Sequence, residues 1–233
     1  MTEDAWHDPD FAETWDEAGN LRTNPDRTHQ LALLADLLDS KRPAQLLDLG
    51  IGSAQVEAFI KRRHPQFFDH CSVTGLDASR AMLELASKRL AHEQIASVEL
   101  LQRDFDGIGS VALDAQPDAA ICVQALHEVP HDTKRELFAW VKRQLPADRP
   151  FYILDRFYYP DSPWLDDWKS TWDWMRSNID NDTLDFDSYH EQYSAKTDHI
   201  ARIEDYRNWL EDAGFVTLCP YQCFNRALII ART

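Results

Sequence analysis

The chain has 233 residues, with 40 acidic against 24 basic side chains and a formal charge of −16. This length accommodates one α/β domain with a full core and an insertion, and it is short for two domains of average size. The charge repels nucleic acid and anionic lipid, no run approaches the ~18 to 20 apolar residues of a membrane span, and the acidic start Met1-Thr2-Glu3-Asp4 is unlike a signal peptide. A cytoplasmic protein with no nucleic-acid or membrane partner is therefore expected.

From Arg27 to Ser40 the apolar residues Leu31, Leu34, Leu37 and Leu38 recur at helical spacing, and Lys41, Arg42 and Pro43 close that helix. The run 45–49 reads as a buried strand, followed by a glycine turn and a helix from about Ser53 to Arg63 that carries Val56, Phe59 and Ile60 on one side. Cys71 to Leu76 predicts a second strand ending at Asp77, and Ser79 is a good N-cap for a helix bearing Met82, Leu83, Ala86 and Leu90. Val98 to Leu101 predicts a third strand. Ala119 to Val123 predicts a fourth without alternation, as suits a strand covered on both faces.

A helix with Leu137, Phe138, Val141 and Leu145 follows and stops at Pro146, and Phe151 to Leu154 predicts a fifth strand. After a long interruption, Tyr206 to Ala213 reads as a helix with Gly214 at its end. Phe215–Leu218 and Ala227–Ala231 then lie too close together for a crossover helix, so they must pair antiparallel. The expected fold is α/β: a doubly wound, mostly parallel seven-stranded sheet with an antiparallel C-terminal hairpin.

The functional signal is concentrated at Asp48-Leu49-Gly50-Ile51-Gly52. Glycine tolerates positive φ, so Gly50 and Gly52 allow a tight turn whose N–H groups face outward at the carboxyl edge of a parallel sheet. Gln55 stands where a G-x-G-x-x-G turn needs its third glycine, which argues against a dinucleotide. Asp48 would repel a pyrophosphate and suits a ligand with an ammonium group. Asp77, ending the next strand, can accept from both hydroxyls of a ribose. Asp104 and Phe105 follow the third strand, where a carboxylate can accept from an adenine amino group and a ring can cover its face. Together these positions outline an adenosine with a cationic tail.

From about Leu46 to Arg232 the sequence resembles the class I S-adenosylmethionine-dependent methyltransferases of the small-molecule type. The resemblance rests on LLDLGIGSA, GLDAS, LQRDFDG, DAAICVQALHEVP and NWLEDAGF. The family's usual last glycine of the first motif is Ala54 here, and its frequent cysteine is Ile51. The resemblance implies S-adenosylmethionine as cofactor and a small-molecule methyl acceptor. It places Asp48, Gly50, Ile51 and Gly52 at the methionine part, Asp77 at the ribose, and Ala78, Met82, Asp104 and Phe105 at the adenine. Gln124 and Ala125, after the fourth strand, fall near the sulfonium.

The same resemblance suggests that residues 1–44 form a helical segment over the cofactor, with Trp15 and Arg22 as contacts, and that 45–233 form the methyltransferase domain. An insertion at about 157–202 reads as a lid, because Trp164, Trp168, Trp172 and Met175 share one helical face. Such a stripe equally suits packing against the core. Arg156, Tyr159, Trp164, Trp168 and Trp172 are its candidate acceptor contacts.

His127-Glu128-Val129-Pro130-His131 satisfies the zinc-protease pattern H-E-x-x-H, but Pro130 belongs at a helix start and not between two ligands one turn apart. No metal is expected. His127 instead follows the fourth strand and is a candidate general base. The short basic runs Lys61-Arg62-Arg63 and Lys88-Arg89 read as solvated helix ends. Cys71, Cys122, Cys219 and Cys223 lack paired C-x-x-C spacing and read as reduced thiols. The alternatives left open are a nicotinamide-dependent oxidoreductase and a cofactor-binding protein without turnover. A homodimer is compatible with either reading.

Overall fold

In the computed structural model the described residues are 8–14, 16, 23–159, 163–179, 182–194 and 199–233. The strands are β1 (Gln45–Leu49), β2 (Ser72–Asp77), β3 (Val98–Gln102), β4 (Ala119–Val123), β5 (Pro150–Arg156), β6 (Val216–Cys223) and β7 (Arg226–Arg232). The helices in chain order are α1 (Pro9–Thr14), α2 (Arg27–Lys41), α3 (Gln55–Arg63), α4 (Arg80–His92), α5 (His131–Gln144), α6 (Leu165–Asn178), α7 (Phe186–Ser194) and α8 (Ile203–Asp212).

The sheet order is β3-β2-β1-β4-β5-β7-β6, with β1 to β5 parallel and β7 antiparallel to both neighbours. The expected doubly wound sheet with a reversed C-terminal hairpin is thus the observed one. Strand order reverses between β1 and β4, which opens a crevice at the carboxyl ends of these strands.

Side-chain alternation assigns each strand residue to one of two apolar layers. Leu46, Tyr152, Leu154, Leu228 and Ile230 face the layer formed with Leu31, Leu34 and Leu38 of α2 and Val56 and Ile60 of α3. Leu47, Leu49, Phe151, Ile153, Ala227 and Ile229 face Leu137, Phe138, Trp140 and Val141 of α5 and Tyr206 and Leu210 of α8. The continuous apolar run of β4 is buried at every position, because both faces are covered.

The inserted helices α6 and α7 close a separate aromatic cluster on the hairpin. Trp172, Met175, Phe186, Tyr189 and Phe224 form its interior, with Tyr159 and Trp168 packed against it. The Trp172 and Tyr189 rings stack at 4.1 Å between centroids. Packing therefore uses most of the tryptophan stripe: Trp172 is 1% exposed, whereas Trp164, just before α6, is 53% exposed.

Candidate functional site

The glycine turn is held by the neighbouring strand. Gly50 and Ile51 donate their N–H groups to the Leu76 carbonyl at 2.8 and 3.0 Å, and Gly50 takes φ +78°. A methyl group at Gly50 would come within 2.5 Å of the Ala125 Cβ, so glycine is required there both for conformation and for the close approach of the β4 turn. At Gly52, also at positive φ, an added Cβ would meet nothing: that backbone faces open space. Ala54 adopts φ +60°, a left-handed conformation that favours glycine over an L-residue.

Asp77 fixes the turn from below. Its Oδ2 accepts the Gly52 N–H and its Oδ1 the Ser79 N–H, both at 2.8 Å. Ser79 Oγ in turn caps α4 by accepting from the Met82 N–H at 3.1 Å. Beyond β3, Asp104 Oδ1 accepts the Asp106 N–H at 3.0 Å, which turns the chain so that buried Phe105 closes the far wall.

These elements enclose a cavity of about 290 Å³, near the lower end of the ~300 to 1,000 Å³ range of small-molecule sites. Of the residues expected at the cofactor, Gly50, Ile51, Gly52, Asp77, Ala78, Met82, Asp104, Phe105, Gln124 and Ala125 line it. Gln124 is held at φ +56° by the donation of its N–H to the Leu154 carbonyl at 2.8 Å. A non-glycine residue in this region is strained, and such strain concentrates at ligand sites.

Asp48 departs from expectation. It shares a sheet face with Leu46, and α3 covers that face, so Asp48 is buried behind the cavity wall against Glu57. Burial, then the charge of Glu57, drives the Asp48 carboxyl well above its ordinary pKa, and burial likewise raises Glu57. No donor from another described residue reaches either carboxyl group. A proton shared between the two is the hydrogen bond left to them.

The N-terminal segment reaches this turn through Asp16. Its Oδ1 accepts from Ser53 Oγ at 2.5 Å and Gln55 Nε2 at 2.8 Å, and its Oδ2 pairs with Arg89 Nη2 at 2.6 Å. Gln55 is thereby committed to a side-chain role at the cavity wall, where a dinucleotide turn would need a bare glycine backbone. Trp15 and Arg22 lie outside the described residues.

His127 sits on a short 3-10 turn after β4 and lines the cavity. Its Nδ1 lies 2.6 Å from Oδ1 of Asp155, which is buried on β5 and also accepts the Arg156 N–H at 2.7 Å. Burial disfavours the imidazolium, but the charge of Asp155, with hydrogen bonds to Asp155 and Glu128, outweighs burial and the opposing charge of Arg156 and raises the His127 pKa. Asp155 is the partner that sequence reading missed. Its only signal was a carboxylate in the otherwise apolar run of β5. Pro130 caps α5, so His131 begins a helix to which His127 does not belong.

None of the five candidate acceptor residues lines the cavity. Arg156 is buried beside it and Tyr159, Trp168 and Trp172 belong to the aromatic cluster, because the hairpin residue Phe224 fills the space that the tryptophan face was expected to offer a ligand. Trp164 is exposed. Conversely Arg27, Gln55, Glu128 and Thr133 line the cavity. They lie at helix ends or in turns, where periodicity carries no directional signal.

Residues 46–148 match the family model described as Methyltransferase domain. A demethylmenaquinone methyltransferase from Thermotoga maritima is 34% identical over 80 residues, covering 32% of this chain and 33% of the relative, so the match spans about a third of that protein. Among solved structures, an O-methyltransferase family protein from Burkholderia thailandensis superposes with a TM-score of 0.68 at 15% identity, over 98% of this chain and 61% of the other. The N-methyltransferase NodS from Bradyrhizobium japonicum WM9, solved with S-adenosyl-L-homocysteine, gives 0.64 at 14% identity over 99% of both chains. The chain thus has the class I methyltransferase fold.

Proposed function

We propose that the protein transfers a methyl group from S-adenosylmethionine to the hydroxyl of a small-molecule acceptor, with His127 as the base. The carrying observation is that His127 lines the same cavity as the Gly50–Gly52 turn, Asp77 and Asp104, with its Nδ1 held 2.6 Å from buried Asp155. When bound, the cofactor supplies an electrophilic methyl group on a sulfonium sulfur.

The chain's residues supply position and proton handling. Asp77 presents carboxylate oxygens to the ribose hydroxyls, and Asp104 with Phe105 receives the adenine. The Gly52 backbone, open to the cavity, admits the methionine part. Asp155 accepts the Nδ1–H of His127, and Nε2, which lies 3.4 Å from Glu128 Oε1, is the atom that would take up the proton. His127 Nε2 would take the proton of the acceptor hydroxyl, leaving the oxygen as the nucleophile for the methyl group that bound S-adenosylmethionine would supply. Orientation and exclusion of water supply most of the acceleration.

Asp16 and its partners support reading the N-terminal segment as a cover over the cofactor and 157–202 as a lid beside it. The charge of −16 supports a cytoplasmic protein without nucleic-acid or membrane partners, and no described helix is long and apolar enough to cross a membrane. Exposed Val216 and Leu218 on edge strand β6 are where a second copy would pair in a homodimer. Calorimetry with S-adenosylhomocysteine and with NAD tests the cofactor, and methyl transfer to a panel of hydroxyl compounds tests the reaction. Binding of S-adenosylhomocysteine with no transfer to any compound would instead indicate a cofactor-binding protein without turnover.

A further inference from the structure

Behind the His127–Asp155 pair, two more polar side chains are buried in the same apolar layer. Alternation along β5 puts Asp155 on the face of Phe151 and Ile153, which α5 and α8 cover. On α5, Lys134 stands three and four positions before Leu137 and Phe138, so its side chain enters that layer, and it is fully buried. On α8, Tyr206 is buried one turn before Leu210, with the Phe157 ring against it at 4.9 Å between centroids. The two side chains meet there: Lys134 Nζ lies 5.2 Å from the centre of the Tyr206 ring.

Asp155 is thereby engaged through both oxygens. Its Oδ1 faces His127 Nδ1 and accepts the Arg156 N–H, and its Oδ2 accepts the Tyr206 hydroxyl at 3.5 Å. The Lys134 ammonium donates to the His199 carbonyl, a neutral acceptor. Burial lowers the Lys134 pKa to about 8, and the charge of Asp155 opposes that fall. A charge–charge interaction is mutual, so the ammonium that Asp155 helps to keep protonated acts back on the carboxylate. The other charged or titratable groups about this pair are Glu128 beside His127, Arg156 next on β5 and Cys122 on β4. Cys122 and Tyr206 keep their protons, because burial and then the charge of Asp155 raise both pKa values.

A carboxylate beside an imidazole draws it towards the imidazolium, whereas a general base works best with its pKa close to the working pH. A donor on the far oxygen and a cation behind it weaken that pull. We infer that Tyr206 and Lys134 are positioning residues for the base: acting through Asp155, they draw part of the carboxylate's charge away from His127. They thereby keep His127 in its neutral, proton-accepting form over more of the neutral range than Asp155 alone would allow. This rests on His127 as the base of the methyl transfer and adds how its proton affinity is set.

The test is an NMR pH titration of the His127 ring, assigned by its loss in His127→Gln, in the wild type, Tyr206→Phe and Lys134→Met. Both variants should raise the His127 midpoint by about half a unit or more, the direction opposite to that expected of Asp155→Asn. A merely structural loosening would part His127 from Asp155 and lower the midpoint instead. An unchanged or lowered midpoint in one variant removes that residue, and in both it overturns the inference. If Lys134→Met does not fold, Tyr206→Phe decides, since it keeps the ring and deletes one oxygen. With a hydroxyl acceptor in hand, kcat in the variants should fall about threefold or more at about pH 7 and recover at about pH 9, with KM little changed. The reading beneath fails separately. A wild-type rate that ignores the His127 midpoint, or S-adenosylhomocysteine that does not bind in calorimetry, overturns that reading, while a raised midpoint still upholds the link of Tyr206 and Lys134 to His127.

Discussion

Asp155 Oδ1 lies 2.6 Å from His127 Nδ1, joining the end of β5 to the turn after β4 across the floor of the cavity. In the proposed reaction this carboxylate favours the tautomer with the proton on Nδ1, and its charge stabilises the imidazolium. Asp155→Asn keeps the shape and removes both effects. It should lower kcat by about 10²- to 10⁴-fold, the usual contribution of a positioned base, with S-adenosylhomocysteine affinity nearly unchanged. Unaltered kcat would remove His127 from the reaction.

The pH profile follows from the same pair. Because the His127 pKa is raised, the neutral base is the form lost first as pH falls. Transfer to a hydroxyl acceptor should therefore rise with pH through a midpoint above imidazole's ordinary value of about 6.5. In Asp155→Asn the midpoint should move down. A rate independent of pH across that range argues for an acceptor already deprotonated before it binds.

Asp77 and the open Gly52 backbone predict a cofactor phenotype. Asp77→Ala removes the acceptor of the Gly52 and Ser79 N–H groups as well as the proposed ribose partner. S-adenosylhomocysteine binding by calorimetry should weaken by about 100-fold, two charge-assisted contacts at about 1.5 kcal/mol each. Binding within a factor of a few of wild type would place the ribose elsewhere.

Ala54 offers a stability test that leaves the chemistry alone. Its φ of +60° costs about 1 to 2 kcal/mol for an L-residue, whereas deleting its buried methyl group loses about 0.8 kcal/mol. Ala54→Gly should therefore raise the unfolding free energy by about 0.5 kcal/mol in urea titration. A clear loss of stability would show that the methyl packing outweighs the backbone strain.

The Asp48–Glu57 pair makes stability fall as pH rises. Both carboxyls have raised pKa values in the folded chain, so the native state holds more protons than the unfolded one above the ordinary carboxyl range of about 4. Their favourable contribution is complete below that range and is lost upward through the raised values. Glu57→Gln removes one titrating member and should flatten the fall of urea-derived stability as pH rises above the ordinary carboxyl range. An unchanged slope would mean that the pair is not titrating.

Much of this was legible in the sequence because parallel strands and helices write periodic patterns. The run 119–123 reads as a fully covered strand, and the short link between 215–218 and 227–231 forces the reversed hairpin. The place of the glycine turn, Asp77 and Asp104 on the cavity wall was legible because the cavity of a doubly wound sheet opens at its strand ends. The partners of those residues were not. Asp48 looks like a ligand group until α3 places Glu57 on it, and His127 carries no sign of Asp155, 28 positions later. The tryptophan stripe was ambiguous in principle, since apolar periodicity shows that a face is covered but not by what. Phe224, on the distant hairpin, turned out to cover it.

The 2.5 Å separation that forbids a side chain at Gly50 also locks together two loops with different tasks. The turn after β1 opens the Gly52 backbone to the cavity, and the turn after β4, beginning at Ala125, carries His127. With no slack between them, neither can shift without displacing the other. A substitution that displaces one turn therefore displaces the other, so a side chain at Gly50 should disturb His127 as well as the glycine turn.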